Sequence, residues 1–175
     1  MSHATGLARL TLVLGGARSG KSTTAEGLLA SQNKPVYLAT GQAGDAEMAE
    51  RIRHHRDRRG PAWETVEEPL DLVGALQKLS GRPVLVDCLT LWLSNLMLAE
   101  TPVEAEIERL AVALPGLAGP VVFVANEVGL GIVPDNALAR KFRDCAGRLN
   151  QTVAAACPRV FFVAAGLSLV LKDSR

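Results

Sequence analysis

Between Gly15 and Thr24 the sequence reads GGARSGKSTT, directly after the apolar run LTLVL at 10–14. Gly15, four residues, then Gly20-Lys21-Ser22 fits G-x-x-x-x-G-K-[ST], the spacing of a phosphate-binding loop. Each residue type has a job in that chemistry. Gly15, Gly16 and Gly20 let successive backbone N–H groups approach phosphate oxygens, with Ala17, Arg18 and Ser19 forming the rest of the turn. A helix beginning at Lys21 adds the positive end of its dipole. The Lys21 ammonium reaches outer phosphates, and the Ser22 hydroxyl suits Mg²⁺. Asp87 closes a second apolar run, PVLVD at 83–87. A carboxylate at the end of such a strand is the second signature of nucleoside-triphosphate chemistry, holding Mg²⁺ directly or through water. A turn aspartate is the plainer reading.

Two further stretches carry reactive or ligand-facing residue types. ERIRHHRDRRG at 50–60 holds His54, His55 and five arginines. Adjacent helix positions diverge by about 100°, so at most one of the two histidines faces a given site. His55 shares a face with Met48 and Ile52, which makes it the inward one, whereas His54 projects sideways. An inward histidine among arginines can attack phosphorus while the guanidinium groups hold the oxygens. A solvated basic helix face is the competing reading of the same spacing. NEVGLGIVPDN at 126–136 follows the run VVFVA. It reads either as a ligand loop at the carboxyl edge of a sheet or as an ordinary loop. In the ordinary reading, its glycines take positive φ and Asp135 or Asn136 caps a helix.

These residues need a scaffold, and the rest of the chain supplies one. Near-continuous apolar runs at 10–14, 35–39, 83–87, 121–125 and 160–165 predict strands buried on both faces of a parallel sheet. ETVEE at 64–68 predicts an edge strand, and 168–172 a last antiparallel strand returning through Gly166. Helical patterns fill the gaps at 21–31, 45–59, 70–79, 89–98, 103–114 and 135–157, with Asp45 as a candidate cap of the second. The alternation predicts a doubly wound α/β fold in one domain spanning 1–175.

Bulk composition excludes other classes. The chain has 175 residues, 48% of them hydrophobic, and a formal net charge of +1. That is enough apolar content for one large core, and too little positive charge for a general nucleic-acid binder. The three cysteines, Cys88, Cys145 and Cys157, form no C-x-x-C pair. They read as reduced thiols of a cytoplasmic protein without a zinc site. No run is long enough to span a membrane and no secretory leader pattern is visible.

Taken together, LVLGGARSGKS, VYLATGQAGDAEMAERIRHHRDRR, WETVEEP, VLVDCLTLWLSNL and NEVGLGIVPDNALARKFRDCAGRLNQ resemble the bifunctional adenosylcobinamide kinase / adenosylcobinamide-phosphate guanylyltransferase family of cobalamin synthesis. The likeness runs from about Leu10 to Lys172. It implies a RecA-like P-loop NTPase fold, a mostly parallel sheet flanked by helices with an antiparallel edge, and a homotrimer. It implies two reactions. A nucleoside triphosphate, ATP or GTP, phosphorylates adenosylcobinamide. GTP then guanylylates a histidine with loss of pyrophosphate, and the GMP passes to adenosylcobinamide phosphate. The family's histidine pattern falls on His55. Its GTP contacts fall on Gly15 to Ser22, on Ala39, Thr40 and Gly41, on Arg56, Asp57, Arg58 and Arg59, near Glu67 and near Asp87. The preference for guanine rests on this resemblance alone. Two other classes fit the loop by itself: a small-molecule kinase without guanylyl transfer, and a nucleotide-switch binding protein.

Overall fold

The structure is a computed structural model and describes residues 7–41, 50 and 60–174. The strands are β1 (Leu10–Gly15), β2 (Val36–Ala39), β3 (Glu64–Glu67), β4 (Val84–Asp87), β5 (Val121–Asn126), β6 (Arg159–Ala164) and β7 (Leu167–Asp173). The described helices are α1 (Lys21–Leu29), α2 (Leu72–Lys78), α3 (Leu89–Leu98), α4 (Val103–Ala113) and α5 (Ala137–Ala156). All strands join one sheet in the order β3-β2-β4-β5-β1-β6-β7. Every pairing is parallel except β6 with β7.

The apolar runs are explained by this order. β1 and β5 sit in the middle, and the side chains of β1 are buried along its whole length. A strand covered on both faces has no polar side, so alternation disappears from its sequence. β3, whose sequence is ETVE, lies at an edge and is largely exposed. On one face Leu10, Leu12, Leu14, Phe123 and Val86 pack against α2, α3, α4 and α5 through residues such as Leu76, Trp92, Leu110 and Leu149. On the other, Val13, Tyr37, Leu85, Val122 and Val124 pack against Ala25 and Leu29 of α1.

Helix boundaries follow their caps. α2 begins at Leu72 rather than Leu70, because the Asp71 carboxylate accepts the Gly74 N–H at 3.0 Å and the Glu68 side chain holds the N–H groups of Leu70 and Asp71. α5 begins at Ala137 rather than Asp135, because the Asn136 side chain caps the Ala139 N–H at 2.8 Å. The predicted helix over 45–59 falls outside the described residues, apart from a helical Glu50. Gly129 and Gly131 do not take positive φ, contrary to the ordinary-loop expectation. The Glu127 carboxylate instead accepts the Gly129 N–H at 2.6 Å, and a Cβ on Gly129 would meet that oxygen at 2.9 Å. Among the described residues no helix is long and apolar enough to cross a membrane.

All three cysteines are buried and unpaired. Burial pushes the Cys88 thiol up to about 11 and the Cys157 thiol up to about 12, because a thiolate there loses its hydration. Both pKa values are raised on folding. The resulting stabilisation is therefore complete below the unfolded thiol's value of 9.0 and is lost as pH rises beyond it. The melting temperature should fall above about pH 9, and the fall should be shallower for Cys157→Ala. Thermal melts at a series of alkaline pH values check this. Equal slopes for the two proteins would contradict it.

Candidate functional site at the carboxyl edge of the sheet

The loop between β1 and α1 has the geometry its sequence predicts. Gly20 sits at the N-cap of α1 with φ 97°, and no side chain caps the helix. Apart from the Ser19 hydroxyl's contact with the Lys21 N–H, no capping side chain fills the start of α1, which is the arrangement that receives an anion. Arg18 also takes positive φ, at 55°. Gly15 is required by packing: a Cβ there would lie 2.5 Å from the Val163 carbonyl oxygen. Ser19 is buried, and its hydroxyl accepts the Lys21 N–H at 3.4 Å. The Lys21 ammonium, also buried, donates to the Gly16 carbonyl at 3.0 Å, folded over the loop it belongs to.

The parallel register brings the remaining predicted positions to the same edge. Ala39 is opposite Glu67 on one side and Asp87 on the other. Asp87 is in turn opposite Val124, and two residues further on Asn126 is opposite Gly15. Gly15 to Ser22, Ala39 to Gly41, Glu67 and Asp87 thus share one rim. His55, Arg56, Asp57, Arg58 and Arg59 lie outside the described residues.

Thr40 has a role its family position did not reveal. Fully buried, its hydroxyl donates to the Cys88 carbonyl at 2.7 Å and accepts the Cys88 N–H at 2.9 Å. Its own N–H donates to the Asp87 carbonyl at 3.1 Å, and its carbonyl accepts from the Asn95 amide at 2.7 Å. This ties the tips of β2 and β4 to α3 just past Asp87. A matching clamp holds β5, where Asn126 N–H donates to the Thr90 hydroxyl at 2.7 Å and its carbonyl accepts from Asn150 at 3.3 Å. Glu127 N–H then donates to the Gly15 carbonyl at 3.1 Å. The hairpin between β6 and β7 also reaches the loop. Gly166 N–H donates to the Ser19 carbonyl at 2.8 Å, from a turn in which Ala165 and Gly166 have φ 52° and 76°. Two consecutive positive φ values mark a type I′ hairpin turn. Gly166 was legible as a turn, but its contact with the loop was not.

The site is electrostatically mixed. Besides burial, the negative Asp87 carboxylate raises the Cys88 thiol and the positive Lys21 ammonium lowers it, so both charges lie within reach of that sulfur. The oxygen donors fit Mg²⁺. Asp87 and Ser22 offer a hard carboxylate and a hydroxyl, and one Asp87 oxygen, Oδ1, accepts no hydrogen bond from the described residues. Among the described residues no three His, Cys, Asp or Glu side chains cluster as a protein-built metal cage would. A groove of about 640 Å³ near Val73, Gln77, Arg109 and Val112 lies between α2 and α4, away from this edge.

The sequence profile of the family described as Cobinamide kinase / cobinamide phosphate guanyltransferase matches residues 11–171. The chain belongs to this family. With it, the chain belongs to the transferases. It is 51% identical over 166 residues to the "Bifunctional adenosylcobalamin biosynthesis protein CobP" of Pseudomonas aeruginosa, covering 92% of this chain and 96% of that one. It is 41% identical over 180 residues to the "Bifunctional adenosylcobalamin biosynthesis protein CobU" of Salmonella typhimurium, covering 93% and 99%. Solved structures place the fold among RecA-like P-loop NTPases. The RadB recombinase aligns with a TM-score of 0.53 at 20% identity, over 90% of this chain and 76% of that chain. The P4 protein from bacteriophage phi6 in complex with ADP aligns with a TM-score of 0.53 at 17% identity, over 97% and 58%.

The loop's contact with the hairpin separates two glycine substitutions. A Cβ on Gly20 would meet the Gly166 Cα at 3.1 Å and would also occupy positive φ, whereas one on Gly166 meets nothing within 4 Å. Gly20→Ala should therefore lose nucleotide binding by more than about tenfold. Gly166→Ala should bear only the left-handed strain of about 1–2 kcal/mol and keep binding. Melting temperature and equilibrium nucleotide binding, measured on both, check the contrast.

Proposed function

We propose that this chain phosphorylates adenosylcobinamide and then transfers GMP from GTP to adenosylcobinamide phosphate through a guanylyl-histidine at His55. The observation that carries the reading is the shared rim: the phosphate loop, Ala39 to Gly41, Glu67 and Asp87 converge on one sheet edge. In the sequence, the segment with His55 and its arginines follows Gly41.

In the first reaction the acceptor hydroxyl oxygen attacks the γ phosphorus. The bond from that phosphorus to the bridging oxygen breaks, and the nucleoside diphosphate leaves as the hydroxyl proton is lost. The loop N–H groups and Lys21 stabilise the charge on the transferring group. In the second, an imidazole nitrogen of His55 attacks the α phosphorus of GTP, and pyrophosphate leaves with the electrons of the broken bond. A phosphate oxygen of the acceptor then displaces the histidine, giving adenosylcobinamide-GDP. Lys21 and the loop orient the β and γ phosphates as leaving group. Arg56, Arg58 and Arg59 supply positive charge near the α phosphate, with Asp57 beside them. Mg²⁺, held through Ser22 and Asp87, would neutralise phosphate charge in both steps.

A single nucleotide-binding domain in the cytoplasm accommodates this chemistry. A homotrimer accounts for the surface. The apolar edge strand β7 leaves Leu167 76% and Leu169 61% exposed, and Leu130 and Ile132 on the loop after β5 are 81% and 96% exposed. Apolar edges of this kind are normally covered.

The test is incubation with GTP labelled at the α phosphate, followed by denaturation. Label should remain on the protein, survive alkali and be lost in acid, as a phosphorus–nitrogen bond behaves. His55→Ala should abolish it while phosphorylation of adenosylcobinamide persists, and His54→Ala should retain it. GTP labelled only at the γ phosphate should leave nothing. Absence of α label in the parent protein would favour a kinase without guanylyl transfer.

Lys21 serves both reactions in this scheme. Lys21→Ala should slow phosphoryl transfer and labelling alike, each by on the order of 10²-fold or more. Rapid-quench measurements of the two steps check it. Loss of one step alone would remove Lys21 from the other.

A further inference from the structure

Tyr37 lies on β2, among the apolar side chains that face α1, and is 8% exposed. A buried phenol needs a partner for its hydroxyl. Here the hydroxyl donates to Oδ2 of Asp87 at 2.9 Å. The register explains why this residue makes the bond. Tyr37 is directly opposite Leu85, and Asp87 is directly opposite Ala39. On its other side Asp87 is opposite Val124. The carboxylate's two neighbours in its own row are therefore a methyl group and an isopropyl group, neither of which can donate. Tyr37 sits one pleat back on the same face, where a long side chain reaches diagonally to the next strand. A shorter donor at position 37 would not span that distance, and a phenylalanine would fill the core without bonding.

We propose that Tyr37 is a positioning residue for Asp87. It occupies Oδ2 and fixes the carboxylate plane, so that Oδ1 remains for the Mg²⁺·nucleotide at the rim. The inference rests on the reading of Asp87 as a Mg²⁺ ligand or its outer-sphere partner. It adds a residue to which neither the family pattern nor the motif spacing assigns a role. Partners that orient metal-binding carboxylates typically change metal affinity or activity by about 10–100-fold when removed.

Tyr37→Phe retains the ring and removes only the hydroxyl, so the test separates packing from positioning. Mn²⁺ replaces Mg²⁺ as a paramagnetic probe. Its affinity for the protein with GDP, and with ADP in parallel, is read from the free-ion signal in electron paramagnetic resonance. Tyr37→Phe should weaken Mn²⁺ binding by about tenfold and raise the Mg²⁺ concentration that half-saturates α-phosphate labelling by a similar factor. Asp87→Asn should weaken it at least as much. The double variant should match Asp87→Asn, because two residues acting through one group are not additive. A Tyr37→Phe protein that melts lower but binds Mn²⁺ like the parent would overturn the proposal, as would a double variant showing the full product of the single effects. Failure of the guanylylation reading appears elsewhere, as absent α label in the parent protein. The Mn²⁺ measurement decides the Tyr37 question in either case.

Discussion

The hydroxyl of Thr40 closes a gap that a parallel sheet leaves at its carboxyl edge, between the ends of β2 and β4. Strands end where their ladder hydrogen bonds run out, and the loops beyond must find partners or fray. Past β2 and β4, Thr40 takes both the N–H and the carbonyl of Cys88. It does so from a fully buried position, where an unmade bond costs the most. Because Cys88 follows Asp87 directly, the same two bonds fix where the carboxylate starts. They also fix where Gly41 ends, and hence where the segment carrying His55 departs. Thr90 and Asn150 do the equivalent work for β5, holding Asn126 beside Gly15. Loop residues that would otherwise be free to wander are in this way anchored to the sheet.

What could be read from the amino-acid order divides along the same line. The phosphate loop, the buried strands and the edge strands were legible because each is a local pattern. Gly20 needs positive φ at one position. β1 needs a run of apolar side chains because both its faces are covered, and ETVE betrays the exposed edge. The clamps were not legible, since Thr40 and Cys88 are 48 positions apart and Tyr37 and Asp87 are 50. Threonine and tyrosine in apolar strands look like ordinary strand formers. Only the strand order, which places β4 beside β2 and not beside β3, makes them neighbours. Gly129 shows a related limit of local pattern. A glycine in a loop suggests positive φ, but here Gly129 takes none; its N–H instead donates to the Glu127 carboxylate, whose oxygen a Cβ would meet at 2.9 Å. Residues 51–59 lie outside the described residues, so the His55 assignment still stands on sequence reasoning.

The two sheet faces differ, and the difference bears on catalysis. α2, α3, α4 and α5 bury the face opposite α1 in a large continuous core. A core of that kind resists deformation because close-packed side chains have few alternative arrangements. The α1 face carries the loop, Lys21, Tyr37 and Asp87 over a smaller cluster. Charged and polar groups thus occupy the thinner layer, backed by the rigid one. Trp92 illustrates the coupling: its ring is fully buried in the large core, while its indole N–H donates to the Leu70 carbonyl at 2.8 Å. Asn95, one turn along α3, donates to both Thr40 and Pro69. α3 therefore transmits the rigidity of the large core to the rim.

One loop can serve two reactions under the proposed scheme because both need the same part of the nucleotide held still. In phosphoryl transfer the γ phosphorus is attacked and the rest of the nucleotide leaves. In guanylyl transfer the α phosphorus is attacked and the β and γ phosphates leave together. Either way the β and γ phosphates sit against the loop N–H groups, Lys21 and Ser22, and charge moves onto oxygens those groups already contact. What distinguishes the reactions is the direction of attack. A nucleophile for the γ phosphorus approaches from beyond the end of the triphosphate, where an acceptor substrate has access. A nucleophile for the α phosphorus must come in alongside the nucleoside, the role the proposed scheme gives to His55. The division of labour then follows from the topology. The strand order fixes the phosphate cradle, and in the proposed scheme the chain between β2 and β3, sequence neighbours that are also paired at the sheet edge, carries the nucleophile.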